Sequence, residues 1–295
     1  MKLVFIGFGE AAYNIAAGLK EEGLGDIGAY DVNAAAPQLG ELIRKRAAEV
    51  GVTLFDRLED ACGTGDFIVS STSGKVALTV AKSVIPHLKG AQVYVDTNSA
   101  APKVKAEIAK LPRQDGVAFC DAAVMGTVPG NRHKVPMFLT GDGAEKFKAA
   151  FSQYGMKLTV LDAEVGGGSA IKMLQSVVMK GLPQLMFESF EAAQKYGVLD
   201  TLVASLSTSL NGKTVEQLAN TFIARTMIHA GRRSSEMKDA IATLDDLGVD
   251  AAMSKATVAK LDALASQNWA AILGEHGDSM KYKEALTSFV ENKTK

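Results

Sequence analysis

The sequence predicts an α/β protein, with a Rossmann-type doubly wound sheet followed by an all-α C-terminal domain. Short apolar segments alternate with amphipathic helical segments from residue 1 to about 164, a pattern typical of a mainly parallel sheet with helices on both faces. After Gly168 the strand signals end, and the remainder has the periodicity of amphipathic helices. We therefore expect two domains, at 1–164 and 165–295.

Seven segments of the first half are predicted to be strands, because each is short, apolar and bounded by turn residues. They are KLVFIG, IGAYD, FIVSST, QVYVDTNS, VAFCDAAV, VPMFLTGD and KLTVLD. The last of them lie close together in the sequence, so we expect an antiparallel edge on the sheet.

In the second half, turn signals predict breaks between helices at 181–183, 211–214 and 229–235. Thr214 followed by Gln217 has the pattern of a capping box, and Ser234 is predicted to cap the next helix. Gly248 is placed where that helix should end.

The composition excludes several classes of protein. The chain of 295 residues has a net charge of −1, which argues against a nucleic-acid-binding surface. No apolar run reaches the ~18 residues that a membrane span requires, and the opening MKLVFIGFG does not fit a signal peptide. Cys62 and Cys120 lack metal-ligand spacing and are predicted to be small buried residues. We expect a cytoplasmic protein without a metal, a nucleic-acid partner or a membrane partner.

The first predicted strand runs directly into a glycine-rich turn. Its sequence IGFGEAA places Gly7, Gly9 and Ala12 in a GxGxxA pattern, with Phe8, Glu10 and Ala11 between them. In such a turn the first glycine allows a tight bend, the second lets the backbone approach a pyrophosphate, and the small third residue allows close packing of helix and strand. We predict that residues 7–12 bind a dinucleotide at the helix N-terminus.

Asp31 ends the second strand, about twenty residues after the glycines. A carboxylate at this place accepts hydrogen bonds from the ribose hydroxyls of NAD and repels the 2′-phosphate of NADP. NAD is therefore the predicted cofactor, and NADP is less favoured. The alternative is that Asp31 only caps the following turn, while Arg44 or Arg46 holds a phosphate.

Polar residues follow two further strands. Thr72 and Asn98 are predicted to bind the cofactor and Ser99 the substrate, because ligands of open parallel sheets collect at the carboxyl ends of the strands. The alternative is that these residues only form turns.

Three motifs resemble those of the β-hydroxyacid dehydrogenases, a family that includes 3-hydroxyisobutyrate and 6-phosphogluconate dehydrogenases. They are the glycine turn, DAAVMGT at 121–127, which resembles DAPVSGG, and GGGSAIK at 166–172, which resembles GxGxxxK. The helical half, with HAGRRSSEMKDA at 229–240, is most similar to the 6-phosphogluconate type.

The resemblance implies that Lys172 is the catalytic residue. Oxidation of an alcohol by hydride transfer releases the hydroxyl proton, and an ammonium in a partly dry cleft has the lowered pKa that such a proton transfer requires. The alternative is a solvated surface lysine. The apolar neighbours Ala170, Ile171, Met173 and Leu174 predict instead that this segment is buried.

The resemblance also assigns a substrate site for a carboxylate. Val124, Met125, Gly126 and Thr127 correspond to the substrate-binding motif, with the backbone amides of Gly126 and Thr127 available to the carboxylate. Met125 replaces a serine of that motif, which suggests a less polar substituent.

One helical turn beyond Lys172 the family has an asparagine, and this chain has Ser176. Either Gln175 or a water then completes the contact, or the substrate differs in shape, so we include Gln175 and Ser176 in the predicted substrate site.

In the helical half, Lys238 corresponds to a family lysine near the cofactor and is predicted to bind it. Arg225, Arg232 and Arg233 are predicted to form either an anion site or a solvated face or subunit contact, and His229 to cap a helix end.

These predictions describe a nicotinamide-dependent oxidoreductase that acts on a 3-hydroxy acid or its carbonyl form. Its partners are a small carboxylate substrate and a second copy of the chain, with 165–295 as a substrate and dimerisation domain. Two alternatives are an oxidative decarboxylase of a phosphorylated sugar acid, and an inactive dinucleotide-binding sensor.

Overall fold

The computed structural model describes residues 1–274 and 277–293. It divides into two compact units, Met1–Ser176 and Val177–Lys295. The division lies beyond the predicted boundary at 164, because the first turns of the next helix pack on the first unit.

Unit 1 contains one eight-stranded sheet. Its strands are β1 Leu3–Ile6, β2 Ile27–Tyr30, β3 Thr53–Leu54, β4 Phe67–Ser70, β5 Val93–Asp96, β6 Ala118–Val124, β7 Met137–Thr140 and β8 Leu158–Val160. The helices that flank it are α1 Glu10–Glu21, α2 Pro37–Glu49, α3 Leu58–Thr64, α4 Ala77–Val84, α5 Pro102–Ala109 and α6 Ala144–Phe151.

The strand order is β3-β2-β1-β4-β5-β6-β7-β8. Strands β1 to β6 are parallel, β7 is antiparallel to β6, and β8 is parallel to β7. The Rossmann fold and its antiparallel edge are thus confirmed. The chain winds outward in both directions from β1 and β4, so a crevice opens beyond Ile6 and Ser70, which are paired in register.

The sheet is buried on both faces. Along β1, Leu3 and Phe5 belong to one apolar cluster, whereas Val4 and Ile6 belong to the other. Strands covered on both sides are continuously apolar, which explains why these segments were recognisable in the sequence.

The second half is helical throughout its described part, as predicted. Its helices are α7 Gly167–Tyr196, α8 Leu199–Leu210, α9 Val215–Ile228, α10 Ala230–Asp246, α11 Ala252–Ala265, α12 Trp269–Leu273 and α13 Tyr282–Lys293. The first of these, α7, starts in unit 1 and continues past Ser176 into unit 2.

The capping box of Thr214 and Gln217 is present at the start of α9. Gly248 has a φ of +63° just beyond the end of α10, as expected for a residue that terminates a helix. Both predictions are confirmed.

Two predictions about helix ends are wrong, and a third is confirmed over a shorter segment. No break occurs at 181–183, because α7 continues through Pro183, where a proline removes only one backbone donor from an otherwise strong helix. The predicted break at 229–235 is present but is a single residue long, because α9 ends before His229 and α10 begins after it. Ser234 is therefore not a cap: it is buried inside α10 and its hydroxyl donates to Asp262.

Within the part of the chain that the structure describes, no helix has both the length and the apolar character needed to cross a membrane.

Candidate active site

A cavity of about 660 Å³ lies at the crevice between the ends of β1 and β4. Its lining includes Gly7 and Gly9 of the glycine turn, Asp31 after β2, and Thr72 and Ser73 after β4. Four of these five residues were predicted from the sequence, and Ser73 was not.

The two glycines have different reasons to be glycine. Gly7 has a φ of +88°, and a Cβ there would lie 2.6 Å from Thr72 Cγ2 and 2.7 Å from the Ser71 carbonyl oxygen. A Cβ on Gly9 would meet no protein atom within 4 Å. Gly7 is therefore required by the fold. The absence of a side chain at Gly9 leaves space at the N-terminus of α1 for a ligand.

The other residues of the turn do not line the cavity. Phe8 and Ala12 are fully buried in the core, and Glu10 and Ala11 do not line the cavity. The Phe8 side chain therefore does not face the predicted cofactor, and its backbone N–H is directed to Asp31.

Asp31 is held by two backbone donors. The N–H of Phe8 donates to Oδ2 and the N–H of Asn33 to Oδ1, each at 2.8 Å. The carboxylate thus caps its own turn and also lines the cavity, so turn capping and ribose binding are compatible roles for Asp31. Each carboxylate oxygen has a second lone pair with which it can accept another hydrogen bond.

The two arginines proposed as phosphate ligands differ in position. The Arg44 guanidinium donates to the Ala34 carbonyl oxygen, while Arg46 lines the cavity and stacks over the Tyr13 ring at 5.8 Å. Only Arg46 is therefore placed to contact a bound nucleotide.

Asn98 lies beneath the cavity and does not line it. It is 5% exposed, its Oδ1 accepts from the Thr72 N–H at 2.6 Å, and its Nδ2 donates to Ser70 Oγ at 2.8 Å. Ser99 is exposed. Asn98 thus fixes the loop after β4, which is an indirect contribution to the cavity.

A buried ionic cluster continues this network, and sequence reasoning missed it. Lys105 of α5 is fully buried, with its Nζ 2.8 Å from Asp121 Oδ1 and 3.1 Å from Asp96 Oδ1. Asp96 also accepts the Asn98 N–H at 2.7 Å. Lysines are rarely fully buried, and the only signal for this one is its place three residues before buried Ile108, on the same face of α5.

Lys172 lies in the second turn of α7, four residues after Gly168, the last of the three glycines. It is half-buried. Burial lowers the pKa of its amine, and the positive charge of Lys105 lowers that pKa further. The amine is therefore easier to deprotonate than that of a solvated lysine, as an acid–base group near neutral pH requires.

The apolar neighbours of Lys172 are more exposed than predicted. Ile171 and Met173 are about two-fifths exposed, and Leu174 is 67% exposed. The prediction that this whole segment is buried is wrong, because neighbouring residues of a helix point to different sides and Lys172 is less exposed than Ile171, Met173 and Leu174.

The predicted substrate residues divide into two groups. Val124 ends β6 and is buried, Met125 is half-buried with its N–H donated to the Pro136 carbonyl, and Gly126 and Thr127 are exposed. Gly126 has a φ of +127°, a conformation that favours glycine.

In the second group, Gln175 is exposed, and the Ser176 hydroxyl donates to the Lys172 carbonyl oxygen at 3.0 Å. The Ser176 hydroxyl is thus engaged within its own helix.

Three charged residues of unit 2 that the sequence singled out have polar partners. Lys238 is exposed and lies 3.3 Å from Asp262 Oδ2, Arg232 pairs with Glu236, and Arg233 donates to the Thr226 hydroxyl. His229 joins α9 to α10. The predicted cofactor role of Lys238 stays a prediction.

Both cysteines are buried free thiols, as predicted. Burial raises the pKa of Cys62 to about 12, so its thiol is not a nucleophile near neutral pH. Among the residues that the structure describes, no group of three or more His, Cys, Asp or Glu side chains is arranged to hold a metal ion.

Comparison with protein families adds a decisive finding. The model for the NAD-binding domain of 6-phosphogluconate dehydrogenase matches residues 2–167, more than half of the chain. The chain belongs to the β-hydroxyacid dehydrogenase family. A second family model, a domain of unknown function (DUF1932), matches residues 193–264 of this chain.

Curated relatives agree with this family. An uncharacterised 28.5 kDa protein of Methanothermus fervidus is 29% identical over 80% of this chain and 88% of its own length. The mitochondrial 3-hydroxyisobutyrate dehydrogenase of Rattus norvegicus is 28% identical over 62% of this chain and 55% of the rat protein.

Solved structures share the fold. A conserved hypothetical protein of Sinorhizobium meliloti is 30% identical, with a TM-score of 0.64 over 99% of this chain and 96% of its own. An imine reductase variant of Myxococcus stipitatus in complex with NAD+ has a TM-score of 0.73 over 98% of this chain and 99% of its own, at 17% identity. Another structure of the imine reductase from that organism contains NADP+. The family is one of nicotinamide-dinucleotide-binding dehydrogenases and reductases.

Proposed function

We propose that this protein transfers hydride between NAD and a 3-hydroxy acid or its carbonyl form, with Lys172 as the general acid or base. The observation that carries the proposal is the half-buried amine of Lys172, whose pKa is lowered at the start of α7. A named relative, the rat 3-hydroxyisobutyrate dehydrogenase, supports the substrate class.

The residues around the cavity fit a dinucleotide. The open space beside Gly9 admits a pyrophosphate at the start of α1, and Asp31 holds the ribose through its free lone pairs. When bound, the nicotinamide accepts or donates the hydride.

Lys172 supplies the proton transfer. In the oxidation its neutral amine accepts the hydroxyl proton of the substrate, and in the reduction its ammonium returns a proton to the carbonyl oxygen. The backbone amides of Gly126 and Thr127 are proposed to hold the substrate carboxylate, and Met125 to contact its apolar substituent. Gln175 and Ser176 are proposed to bound the same site. We further propose that the protein works as a homodimer.

Replacement of Lys172 tests this function. We expect Lys172→Ala to lower kcat with a panel of 3-hydroxy acids by about 10²-fold or more, since general acid–base groups contribute typically 10²–10⁴-fold. NADH absorbance is followed for oxidation and for reduction of the matching carbonyl compounds. Lys180→Ala, an exposed lysine of the same helix, is the matched control.

Undiminished turnover by Lys172→Ala would remove the lysine from the mechanism. A cyclic imine belongs in the substrate panel, because an imine reductase has this fold. Release of carbon dioxide would indicate an oxidative decarboxylase, although the pairing of Arg232 with Glu236 offers little support for a phosphate site. NADH binding without any turnover would indicate a sensor.

The choice of NAD is tested at Asp31. We expect the wild-type protein to have a kcat/KM at least about tenfold higher with NAD than with NADP, because a carboxylate near a 2′-phosphate costs on the order of 1 kcal/mol or more. Asp31→Ser should reduce this ratio, since Arg46 then faces the phosphate without a competing negative charge. Arg46→Ala should instead raise this ratio, because it removes the cation that would face the 2′-phosphate. A wild-type preference for NADP would contradict the proposal.

A further inference from the structure

The cluster of Lys105, Asp96 and Asp121 has no role in the mechanism above, yet all three side chains have no exposed surface. Burying one ammonium and two carboxylates is expensive, and replacing such groups by apolar residues is often neutral or stabilising. A cluster of this kind within the first unit therefore calls for a reason beyond stability.

Its surroundings join the cofactor cavity to the start of α7. On one side, Asp96 accepts the N–H of Asn98, which in turn accepts from cavity-lining Thr72. On the other side, the backbone N–H of Gly166, the residue before α7, favours the charged form of Asp121 and so lowers its pKa.

The glycine segment before Lys172 fits tightly around the cluster. A Cβ on Gly166 would lie 2.8 Å from the carbonyl oxygen of Pro102, in the first turn of the helix that carries Lys105. A Cβ on Gly168 would lie 3.0 Å from Ala123 Cβ, two residues beyond Asp121 on β6. The start of α7 is thus seated directly on α5 and β6.

We propose that Lys105 is a positioning residue for Lys172: its buried ammonium, held by Asp96 and Asp121, fixes the glycine segment and places a positive charge near the catalytic amine. This inference rests on the proposed role of Lys172.

The charged groups around Lys105 define how it acts. They are Asp96 from β5, Asp121 from β6 and Lys172 from α7, whereas Lys103 and Glu107 of its own helix are exposed. Burial raises the pKa of Asp121, and Lys105 and the Gly166 N–H oppose this rise. Paired with the ammonium at 2.8 Å, the carboxylate balances part of the charge that reaches Lys172.

The test measures the Lys172 amine directly, without substrate. The full-length protein is acetylated with trace acetic anhydride across a pH series, and the rate at Lys172 is read by mass spectrometry. We expect Lys105→Gln to raise the pKa of Lys172, because a like charge is removed, and Asp121→Asn to lower it, because a compensating charge is removed. Lys103→Gln on the exposed face of α5 is the matched control and should change nothing.

Shifts of the Lys172 pKa in opposite directions in Lys105→Gln and Asp121→Asn support the proposal. A general destabilisation of the fold would move this pKa in the same direction in both variants. Unchanged or equally directed shifts in folded variants would overturn it. If Lys105→Gln does not fold, the sign of the Asp121→Asn shift decides. Since labelling needs no turnover, this outcome is independent of whether Lys172→Ala retains activity.

Discussion

Gly7 and Gly9 are two residues apart, but the structure separates their roles. Gly7 is constrained by its positive φ and by Thr72, whereas Gly9 has a φ of −76° that any residue adopts and open space beside it. A substitution at Gly7 should therefore affect the fold, and one at Gly9 the ligand.

This contrast gives a matched pair of variants. Gly7→Ala should destabilise the protein by about 1–3 kcal/mol, since it forces an alanine into a strained conformation. Gly9→Ala should change stability by less than about 1 kcal/mol, the usual range for a helix N-cap, yet weaken NADH binding at least about tenfold, because its Cβ occupies the path of the pyrophosphate. Thermal unfolding and NADH fluorescence titration measure the two effects. Equal NADH affinity for Gly9→Ala and wild type would show that this space is not used.

At the residue scale, the sequence identified side chains that belong to local motifs. The glycine turn and Asp31 are recognisable because their spacing along the chain is fixed by one strand–turn–helix unit. Lys105 was not recognisable, because its partners Asp96 and Asp121 come from two other strands, and its own segment PKVKAEIAK resembles an ordinary solvated helix. Long-range pairing of charges leaves little trace in a single sequence.

At the element scale, predictions succeeded where local chemistry decides the structure. The strands of the parallel sheet are continuously apolar, and the capping box at Thr214 satisfies its own backbone donors. The predictions failed where contacts with distant parts of the chain decide the structure. The strand β3 has only two residues, and it exists because Gly28 and Ala29 of β2 offer it a partner.

The helix α7 is the clearest failure. Gly181 and Pro183 are strong breakers of isolated helices, but α7 runs through them for thirty residues. The Leu, Met and Gln residues around them favour a helix, and one missing donor at Pro183 does not end it. The sequence prediction assumed that Pro183 ends the helix, as it would in an isolated peptide.

At the scale of the whole molecule, α7 raises the question of what covers it. Eight apolar side chains between 174 and 187 are more than a third exposed: Leu174, Val177, Val178, Met179, Leu182, Leu185, Met186 and Phe187. They occupy every side of the helix rather than one stripe, and a helix that is apolar all round is normally buried. Exposed patches of this kind mark protein interfaces, and the symmetric partner that every such chain has available is a second copy of itself.

We therefore expect a homodimer at micromolar concentration, with α7 in its interface. Phe187→Lys, alone or with Val178→Lys, should shift the mass measured by analytical ultracentrifugation from dimer to monomer, because each buried lysine leaves an unpaired charge in an apolar contact. Leu42→Lys, on the exposed side of α2 in unit 1, is the matched control and should remain dimeric. Circular dichroism establishes that each variant is folded. A monomeric wild-type protein would contradict the prediction, and a dimer that persists in the double variant would place the interface elsewhere than on α7.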